Sequence, residues 1–329
     1  SSPTVSPTSS PTVSPTSSPT SSPTVSPTRS PTVSPTESPT SYSNILNLGE
    51  LQSVDDNNIQ LPVNFTSRII AESGKKVTLN NGNKSTYTWH HAPDGGTVFS
   101  TKDGWIYVSN SEVWSSNGGV SAIKFSNNAD ITDIYSICSG TTRNCSGGKT
   151  PWNTWLTCEE YDNGYVWECD PFGKKNSIKL NKLGKFSHEA AAVDPKSGNI
   201  YLTEDKSDGL LYRFVPDTKE YNTEGEYWKP NMENGQLQAL KISANNNISW
   251  VNINDPEANT YTTRKQGQDL SANTFNGLEG IVINHILNKI YFVTKGDNIV
   301  WILDLNTNKL GKLYDRATDP NPLASGLDN

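Results

Sequence analysis

The sequence contains a single methionine and no apolar run near the roughly 18 residues that a transmembrane helix requires. Clusters of lysine and arginine are also missing, since 27 basic residues stand against 34 acidic ones and the net charge is −7. An acidic chain without basic clusters attracts neither nucleic acid nor an anionic membrane. We therefore expect no nucleic-acid binding and no transmembrane segment, and we regard the chain as a suitable host for cations.

The first 42 residues have almost no apolar side chains. Residues 2–41 consist of ten copies of Ser-Pro-Thr-x. Because proline fixes φ and removes a hydrogen-bond donor, neither helix nor sheet can run through this repeat. We expect residues 1–42 to form a disordered, polyproline-like stalk of the kind that carries O-linked sugars. Two interpretations stay open for the stalk: an inert linker, and an attachment to a cell wall or glycan matrix.

Several sequence features bear on the compartment. Asn-x-Ser/Thr sequons, the acceptors of N-linked glycans, occur at Asn64, Asn83, Asn144 and Asn247. Together with the stalk they favour a secreted, extracellular or cell-surface protein. The chain begins at Ser1 without an initiator methionine, so we expect a processed form or a fragment.

Residues 85–329 carry a repeated pattern of paired strands. In each repeat, a strand of alternating aromatic and aliphatic residues runs into acidic or amide residues, and a second strand follows. The pairs are 105–112 with 119–125, 154–160 with 164–169, 199–205 with 209–215, and 289–297 with 299–304. They recur every 45 to 50 residues or so if a degenerate unit lies near 248–253. That period, built from short strands, is typical of propeller blades.

The repeats predict an all-β fold, namely a six-bladed β-propeller over residues 85–329 that follows the stalk. Residues 43–84 are predicted to form a leader with the first outer strands. The next repeat would fall beyond Asn329, so we expect the propeller to be C-terminally incomplete in this chain and to leave an open sheet edge.

The hairpin geometry predicts one acidic mouth. An up-down hairpin returns its end beside its beginning, so a residue that leads one strand lies near the acids that end the next. Because the inner strands of all blades converge on the axis, this gathers one set of side chains: His91, Glu112, Glu159, Glu160, His188, Glu189, Glu204, Asp205, Glu279 and Asp297.

Carboxylates gathered in this way repel one another unless cations lie between them. Calcium takes six to eight oxygen ligands, which acidic loops from several blades can supply. Cys158 directly precedes Glu159 and Glu160, and a thiolate suits a transition metal such as iron or zinc. The alternative for Cys158 is a disulfide. With four cysteines, Cys138 can pair with Cys145 and Cys158 with Cys169.

Several stretches resemble the PhoX-type alkaline phosphatases, and the likeness is greatest to the shorter branch of that family. The chief one is Gly-Gly-Lys-Thr-Pro-Trp-Asn-Thr-Trp-Leu-Thr-Cys-Glu-Glu at 147–160. Others are Gly-Lys-Phe-Ser-His-Glu-Ala at 184–190, Tyr-Leu-Thr-Glu-Asp at 201–205 with Leu-Tyr-Arg-Phe at 211–214, Gly-Leu-Glu-Gly at 277–280, and Thr-Lys-Gly-Asp-Asn at 294–298. The resemblance covers residues 85–329 in the expected order.

This resemblance implies a propeller with iron and calcium ions (Fe³⁺ and Ca²⁺) at its axis, which hydrolyses small phosphate esters outside the cytoplasm. The implied metal ligands are Cys158, Glu159, Glu160, Glu189, Glu204, Asp205 and Glu279, and Cys158 would bind iron. Asn144 would lie beside the phosphate. The long-form phosphatases have a phosphate-binding arginine where this chain has Gly277, and Arg143 and Lys149 are the candidates to replace it.

The expected chemistry is Lewis-acid activation of the phosphoryl group by bound metals. Two alternatives stay open: a non-catalytic, calcium-stabilised cell-surface or matrix module, and a calcium-dependent lactonase or esterase built on the same fold. Fold alone does not separate them.

Overall fold

The computed structural model describes residues 49–221, 228–320 and 326–328, so the stalk predicted at 1–42 lies outside the described residues. The chain divides into two compact units, Ser1–Arg68 and Ile69–Asn329. In the described part of the first unit, the Asp55 carboxylate accepts hydrogen bonds from the backbone N–H groups of Asn57 and Ile59 and so closes a loop.

The second unit is built mainly from four antiparallel sheets. The first sheet contains β3 (Pro93–Thr101), β4 (Gly104–Ser111), β5 (Gly118–Ser126) and β6 (Ile131–Thr141). The second contains β7 (Asn144–Lys149), β8 (Trp155–Glu159), β9 (Val166–Cys169) and β10 (Ile178–Lys179). The third contains β11 (His188–Val193), β12 (Ile200–Glu204), β13 (Gly209–Pro216), β16 (Gly235–Ile242) and β17 (Ile248–Asn252). The fourth contains β19 (Leu278–Asn284), β20 (Lys289–Thr294), β21 (Ile299–Asp304) and β22 (Lys309–Asp315).

Shorter elements fill the connections. They are the hairpin of β1 (Lys76–Thr78) and β2 (Lys84–Thr88), the hairpin of β14 (Lys219–Tyr221) and β15 (Trp228–Pro230), β18 (Thr274–Phe275), which pairs with the start of β13, helix α1 (Thr263–Asp269), and 3-10 turns at Asn181–Leu183 and Ala244–Asn246. The predicted boundary between residues 84 and 85 falls inside β2. Among the described residues, no helix has the length and apolar content needed to cross a membrane.

The fourth sheet shows how the sequence fixes the hairpins. Its three turns end at Asn288, Asn298 and Asn308, and each of these residues has a positive φ between 52° and 57°. Asparagine tolerates this left-handed conformation better than most residues, so it reverses the chain directly before the next strand. In the last of these turns the Asp304 carboxylate also accepts hydrogen bonds from the N–H groups of Asn306 and Thr307.

The first strands of the four sheets, β3, β7, β11 and β19, lie side by side in that order, and we call them the inner strands. The sheets pack face to face through three apolar clusters. One joins the first and second sheets around Ile106 and Trp155, one joins the second and third around Leu156 and Leu202, and one joins the third and fourth around Tyr201 and Phe292. Blades that radiate from a common set of inner strands confirm the predicted all-β propeller.

The described residues form four blades of this kind, and the predicted count of six goes beyond them. The degenerate unit predicted near 248–253 is wrong. This segment is β17, which pairs with β16 through Gln238 and Asn252 and forms an edge of the third sheet. It supplies no inner strand, because the chain between the third and fourth blades is used for hairpin β14–β15, strand β18 and helix α1.

Candidate metal centre

Each inner strand has a β-bulge directly after its first residue. The first residue of each inner strand, which is Pro93, Asn144, His188 or Leu278, is paired with the neighbouring strand. The next paired residue lies three residues further along the inner strand but only two residues back along its partner. A bulge leaves a residue unpaired and re-aims its side chain. In the four strands, the residue after the paired one is Asp94, Cys145, Glu189 and Glu279. The same distortion therefore places one polar side chain per blade at equivalent positions.

Small residues make these bulges possible. A Cβ atom added at Gly96 would lie 2.2 Å from the Val108 carbonyl oxygen, and one added at Gly147 would lie 1.9 Å from that of Leu156. A Cβ at Gly148 would meet the backbone oxygen of Ala191, on the next inner strand, at 1.9 Å. The inner strands can approach one another this closely because these glycines have no side chain.

A second set of side chains lies at the same end of the blades. The partners of the four paired residues are the last residues of β4, β8, β12 and β20. The residue that follows each of these strand ends is Glu112, Glu160, Asp205 and Lys295. Eight equivalent positions, two from each blade, thus face one region, and seven of them carry an acid or a thiol.

Distances show that these groups form one continuous centre. The Cys145 Sγ atom lies 3.1 Å from Asp94 Oδ2 and 3.3 Å from Glu189 Oε1. Three groups of possible ligands have their ligand atoms within 4.8 Å of one another: Glu112, Cys145 and Glu160; Glu160, Glu189 and Asp205; and Glu189, Glu279 and Asp328. Because Glu160 and Glu189 each belong to two groups, the three groups are joined.

Burial makes this concentration of acids costly. It is the largest cause that raises the pKa of Glu160 to about 7 and the pKa of Glu279 to about 9, and the charge of Glu189 adds to the shift at Glu279. Burial also raises the pKa of the Cys145 thiol, and the charges of Glu189 and Asp94 raise it further. Without cations, part of the centre is therefore protonated at neutral pH.

Two basic residues neutralise part of the remaining charge. The Arg143 guanidinium contacts Glu112, with its Nε atom 2.9 Å from Oε1, and it also forms an ion pair with Glu160. The Lys295 ammonium lies 2.5 Å from Glu279 Oε1 and 2.9 Å from Asp205 Oδ2. Apart from that ammonium, Glu279 Oε1 has no hydrogen-bonding partner among the described residues. A buried carboxylate oxygen that already contacts one cationic group is also suited to a metal cation.

A family model described as alkaline phosphatase PhoX matches residues 117–322, which is more than half of the chain. This chain belongs to the PhoX alkaline phosphatase family. The family assignment makes the protein an enzyme, a phosphoric ester hydrolase. A comparison with curated proteins gave no match.

Among the solved structures that match, a PhoX structure supports the fold. Pseudomonas fluorescens PhoX in complex with vanadate, a transition state analogue, matches with a TM-score of 0.57 and 15% identity, over 76% of this chain and 72% of that chain. A putative 6-phosphogluconolactonase from Bacteroides uniformis matches with a TM-score of 0.35 and 14% identity, over 69% of this chain and 71% of that chain.

Four of the ligands predicted for this PhoX family member meet in the centre: Glu160, Glu189, Asp205 and Glu279. Glu159 and Glu204 are placed elsewhere, because neighbouring residues at a strand end face opposite ways. The Glu159 carboxylate accepts hydrogen bonds from the backbone of Thr142 at 2.8 Å and of Tyr165 at 3.1 Å.

Glu204 has the equivalent role in the third blade. Its carboxylate accepts hydrogen bonds from Arg264 Nη1 at 2.8 Å, from the Tyr212 hydroxyl at 3.1 Å and from the backbone of Leu210 at 3.1 Å. Burial raises the pKa of Glu204 to about 7, although Arg264 opposes the shift. Glu159 and Glu204 thus hold the loops behind the centre.

Cys158 is also absent from the three ligand groups, and the thiol that they contain is that of Cys145. Cys158 is fully buried in the apolar cluster between the second and third blades, and burial raises the pKa of its thiol. All four cysteines are free thiols. Cys158 and Cys169 lie near opposite ends of the β8–β9 pair, whereas the thiols of Cys138 and Cys169 are hydrogen-bonded to each other.

Of the predicted phosphate contacts, only Arg143 reaches the centre. Asn144 is completely buried, and its amide is bonded to the hydroxyls of Thr141 and Thr157. Lys149 lies at the far end of β7, where its ammonium donates to the Val98 carbonyl at 2.9 Å. Neither side chain therefore offers a phosphate contact at the centre.

The predicted histidines also lie outside the three ligand groups. The His188 Nε2 atom lies 3.0 Å from the Gly184 carbonyl, which it bonds as a donor, and the ring stacks on Phe186 at 3.6 Å. Burial lowers the pKa of His188 to about 3, so this ring is neutral. His91 is exposed, and Asp297 accepts a hydrogen bond from the Thr294 hydroxyl.

The residues that sequence reasoning missed are Asp94, Cys145, Lys295 and Asp328. The first two had a signal. The runs Asp-Gly-Gly at 94–96 and Cys-Ser-Gly-Gly at 145–148 both place small residues directly after a polar one, which is the pattern of the bulge. Asp94 and the glycines after it form part of β3.

Proposed function

We propose that this PhoX family member hydrolyses small phosphate esters at the centre formed by its inner strands, with iron and calcium as cofactors. The observation that carries the proposal is the continuity of the three ligand groups through Glu160 and Glu189. Several cations placed along such a centre would face one phosphoryl group together.

The available donors fit these metals. Six of the seven members of the three groups are carboxylates, which are the hard oxygen ligands that calcium prefers. The seventh is the Cys145 thiol, a soft ligand that suits iron and adds little for calcium. We therefore assign the thiol end of the centre to iron, and the end with Glu189, Glu279 and Asp328 to calcium.

Bound cations and Arg143 would have separate roles in the reaction. Lewis acidity at the phosphoryl oxygens is what bound cations would supply. The Arg143 guanidinium, a planar donor suited to phosphate oxygens, lies at the thiol end and would orient the substrate. Gly277 holds in the fourth blade the position that Arg143 holds in the second, since each precedes the paired residue of an inner strand and has a positive φ.

Two features support a location outside the cytoplasm, which is also part of the proposal. Asn64, Asn83 and Asn247 are exposed, as glycan acceptors must be, whereas Asn144 is buried and is excluded as an acceptor. The proline-rich repeat before residue 42 would hold the catalytic domain away from a surface, as a wall or matrix attachment requires.

Paired cysteine variants test the proposal. In Cys145→Ser we expect the iron content to fall by most of its value and kcat for 4-nitrophenyl phosphate to fall at least about 100-fold. In the matched control Cys158→Ala, which removes a buried thiol that belongs to none of the three ligand groups, both should stay near the level of the unmodified protein. Elemental analysis and steady-state rates measure them.

The opposite pattern, with metal lost in Cys158→Ala and kept in Cys145→Ser, would restore Cys158 as the ligand and contradict this assignment. Calcium without iron, combined with no phosphomonoester hydrolysis, would favour the calcium-stabilised module instead.

A further inference from the structure

An exposed tryptophan stands beside the candidate centre. Trp114 lies two residues after Glu112 and is 57% exposed, although indole is among the largest apolar groups in the chain. Its ring makes an edge contact with Tyr161, the residue after Glu160, at 6.4 Å between ring centroids and 67° between planes. Two aromatic side chains thus follow two of the acids that form the thiol end of the centre.

Arg143 connects this aromatic pair to the centre. Its guanidinium carbon lies 4.9 Å from the centroid of the Trp114 ring, while its nitrogens contact Glu112 and Glu160. The guanidinium therefore lies between the ligand groups and the indole. If Arg143 binds a phosphate group, a ring attached to that phosphate can reach the Trp114 indole.

The loop that carries Trp114 has an unfavourable backbone. Ser115 and Ser116 have φ values of 62° and 58°, two successive left-handed residues without a glycine. Such conformations are costly for residues with a Cβ and persist where the surroundings fix them. Here the Ser116 N–H donates to Thr142 Oγ1 at 3.0 Å, and the Arg143 N–H donates to the Val113 carbonyl at 2.9 Å. The loop is thus tied to the segment that carries Arg143 while the indole stays in solvent.

We propose that Trp114 is the binding surface for a planar ring in the alcohol part of the substrate. The preferred substrates would then be phosphomonoesters whose alcohol carries an aromatic or heteroaromatic ring, such as aryl phosphates and nucleoside phosphates. This inference rests on the proposed phosphatase function. Stacking of a ring on an exposed indole is a general source of affinity that tolerates different rings.

Two phosphonates that differ only in a ring separate ring binding from catalysis. Binding of phenylphosphonate and methylphosphonate to the metal-loaded full chain is measured by titration calorimetry. We expect phenylphosphonate to bind about 5- to 30-fold more tightly, and Trp114→Leu to remove this preference without changing the affinity for methylphosphonate. Trp114→Phe should keep most of the preference. Phe172→Leu, which changes another exposed aromatic residue at the far end of the second blade, should keep all of it.

Rates complete the test. The value of kcat/KM for 4-nitrophenyl phosphate should fall about as much as phenylphosphonate affinity in Trp114→Leu, while that for glycerol phosphate stays constant. If both esters are hydrolysed and Trp114→Leu affects both equally or neither, this inference is overturned and the phosphatase function stands. If the unmodified protein hydrolyses no ester and binds neither phosphonate, the proposed function fails and the inference falls with it.

Discussion

A buried carboxyl that retains its proton makes the stability of the metal-free protein depend on pH, and Glu279 offers a direct test. Burial first, and the charge of Glu189 second, raise the pKa of Glu279 from its ordinary 4.5 to about 9. Between pH 4.5 and pH 9 the folded protein therefore keeps a proton that the unfolded chain has released. Stability falls as the pH rises through this window, because the unfolded state binds fewer protons.

Glu279→Gln removes this penalty and keeps the shape of the side chain. At pH 7 the carboxyl is held protonated about 2.5 pH units above its unfolded pKa, and one unit corresponds to about 1.4 kcal/mol. The metal-free variant should therefore be more stable than the unmodified protein by up to about 3 kcal/mol at pH 7 and by little at pH 4.5. The gain should increase further toward pH 9.

Urea unfolding followed by tryptophan fluorescence at pH 5, 7 and 9, in the presence of a chelator, gives these values. Glu233→Gln, which changes an exposed glutamate, is the control and should show no such trend. A difference between Glu279→Gln and the unmodified protein that stays constant from pH 5 to pH 9 would refute the reasoning. Added calcium should reverse the order, because calcium binds more tightly to the chain that has the carboxylate and so stabilises that chain more.

Two further outcomes follow from the structure. Lys295→Met removes the ammonium that contacts Glu279 and Asp205, so the metal-free protein should melt at a lower temperature. Its calcium affinity, measured by calorimetry, should rise about tenfold or more. An unchanged affinity would mean that Lys295 does not compete with cations. Exposure to oxidised glutathione during refolding should convert the contacting thiols of Cys138 and Cys169 to a disulfide. Two protons and two electrons then pass to glutathione. Peptide mapping tests this prediction, and it would be contradicted if both cysteines remained thiols or formed another pairing.

The strands and their common end were predictable from the sequence, because alternating aromatic and aliphatic residues identify β12 and β20 without ambiguity. The hydrophobic pattern does not show which way the side chains of two adjacent acids point. Glu159 and Glu160 are chemically identical, yet one binds loop N–H groups and the other faces the centre. The direction depends on the pleat at the strand end, which hydrophobic periodicity does not specify where both residues are polar.

The bulges explain the remaining errors. His91 was predicted to lie in the acidic mouth, but the structure places Asp94, three residues later, at the position equivalent to Glu189 and Glu279. Cys145, at the equivalent position of the second blade, lies beside Glu189 and was missed for the same reason. A bulge adds a residue on one strand only, so it shifts register without leaving a strong mark in composition.

The repeated bulge also separates architecture from reactivity. At positions 94, 145, 189 and 279 the backbone path is set by the small residues that follow and by the pairing on either side. The side chain at each position contributes little to this backbone conformation, so an acid in one blade and a thiol in another occupy equivalent positions. Exchanging an acid for a thiol at one of these positions would change the donor atom that the blade offers and would leave the backbone path intact.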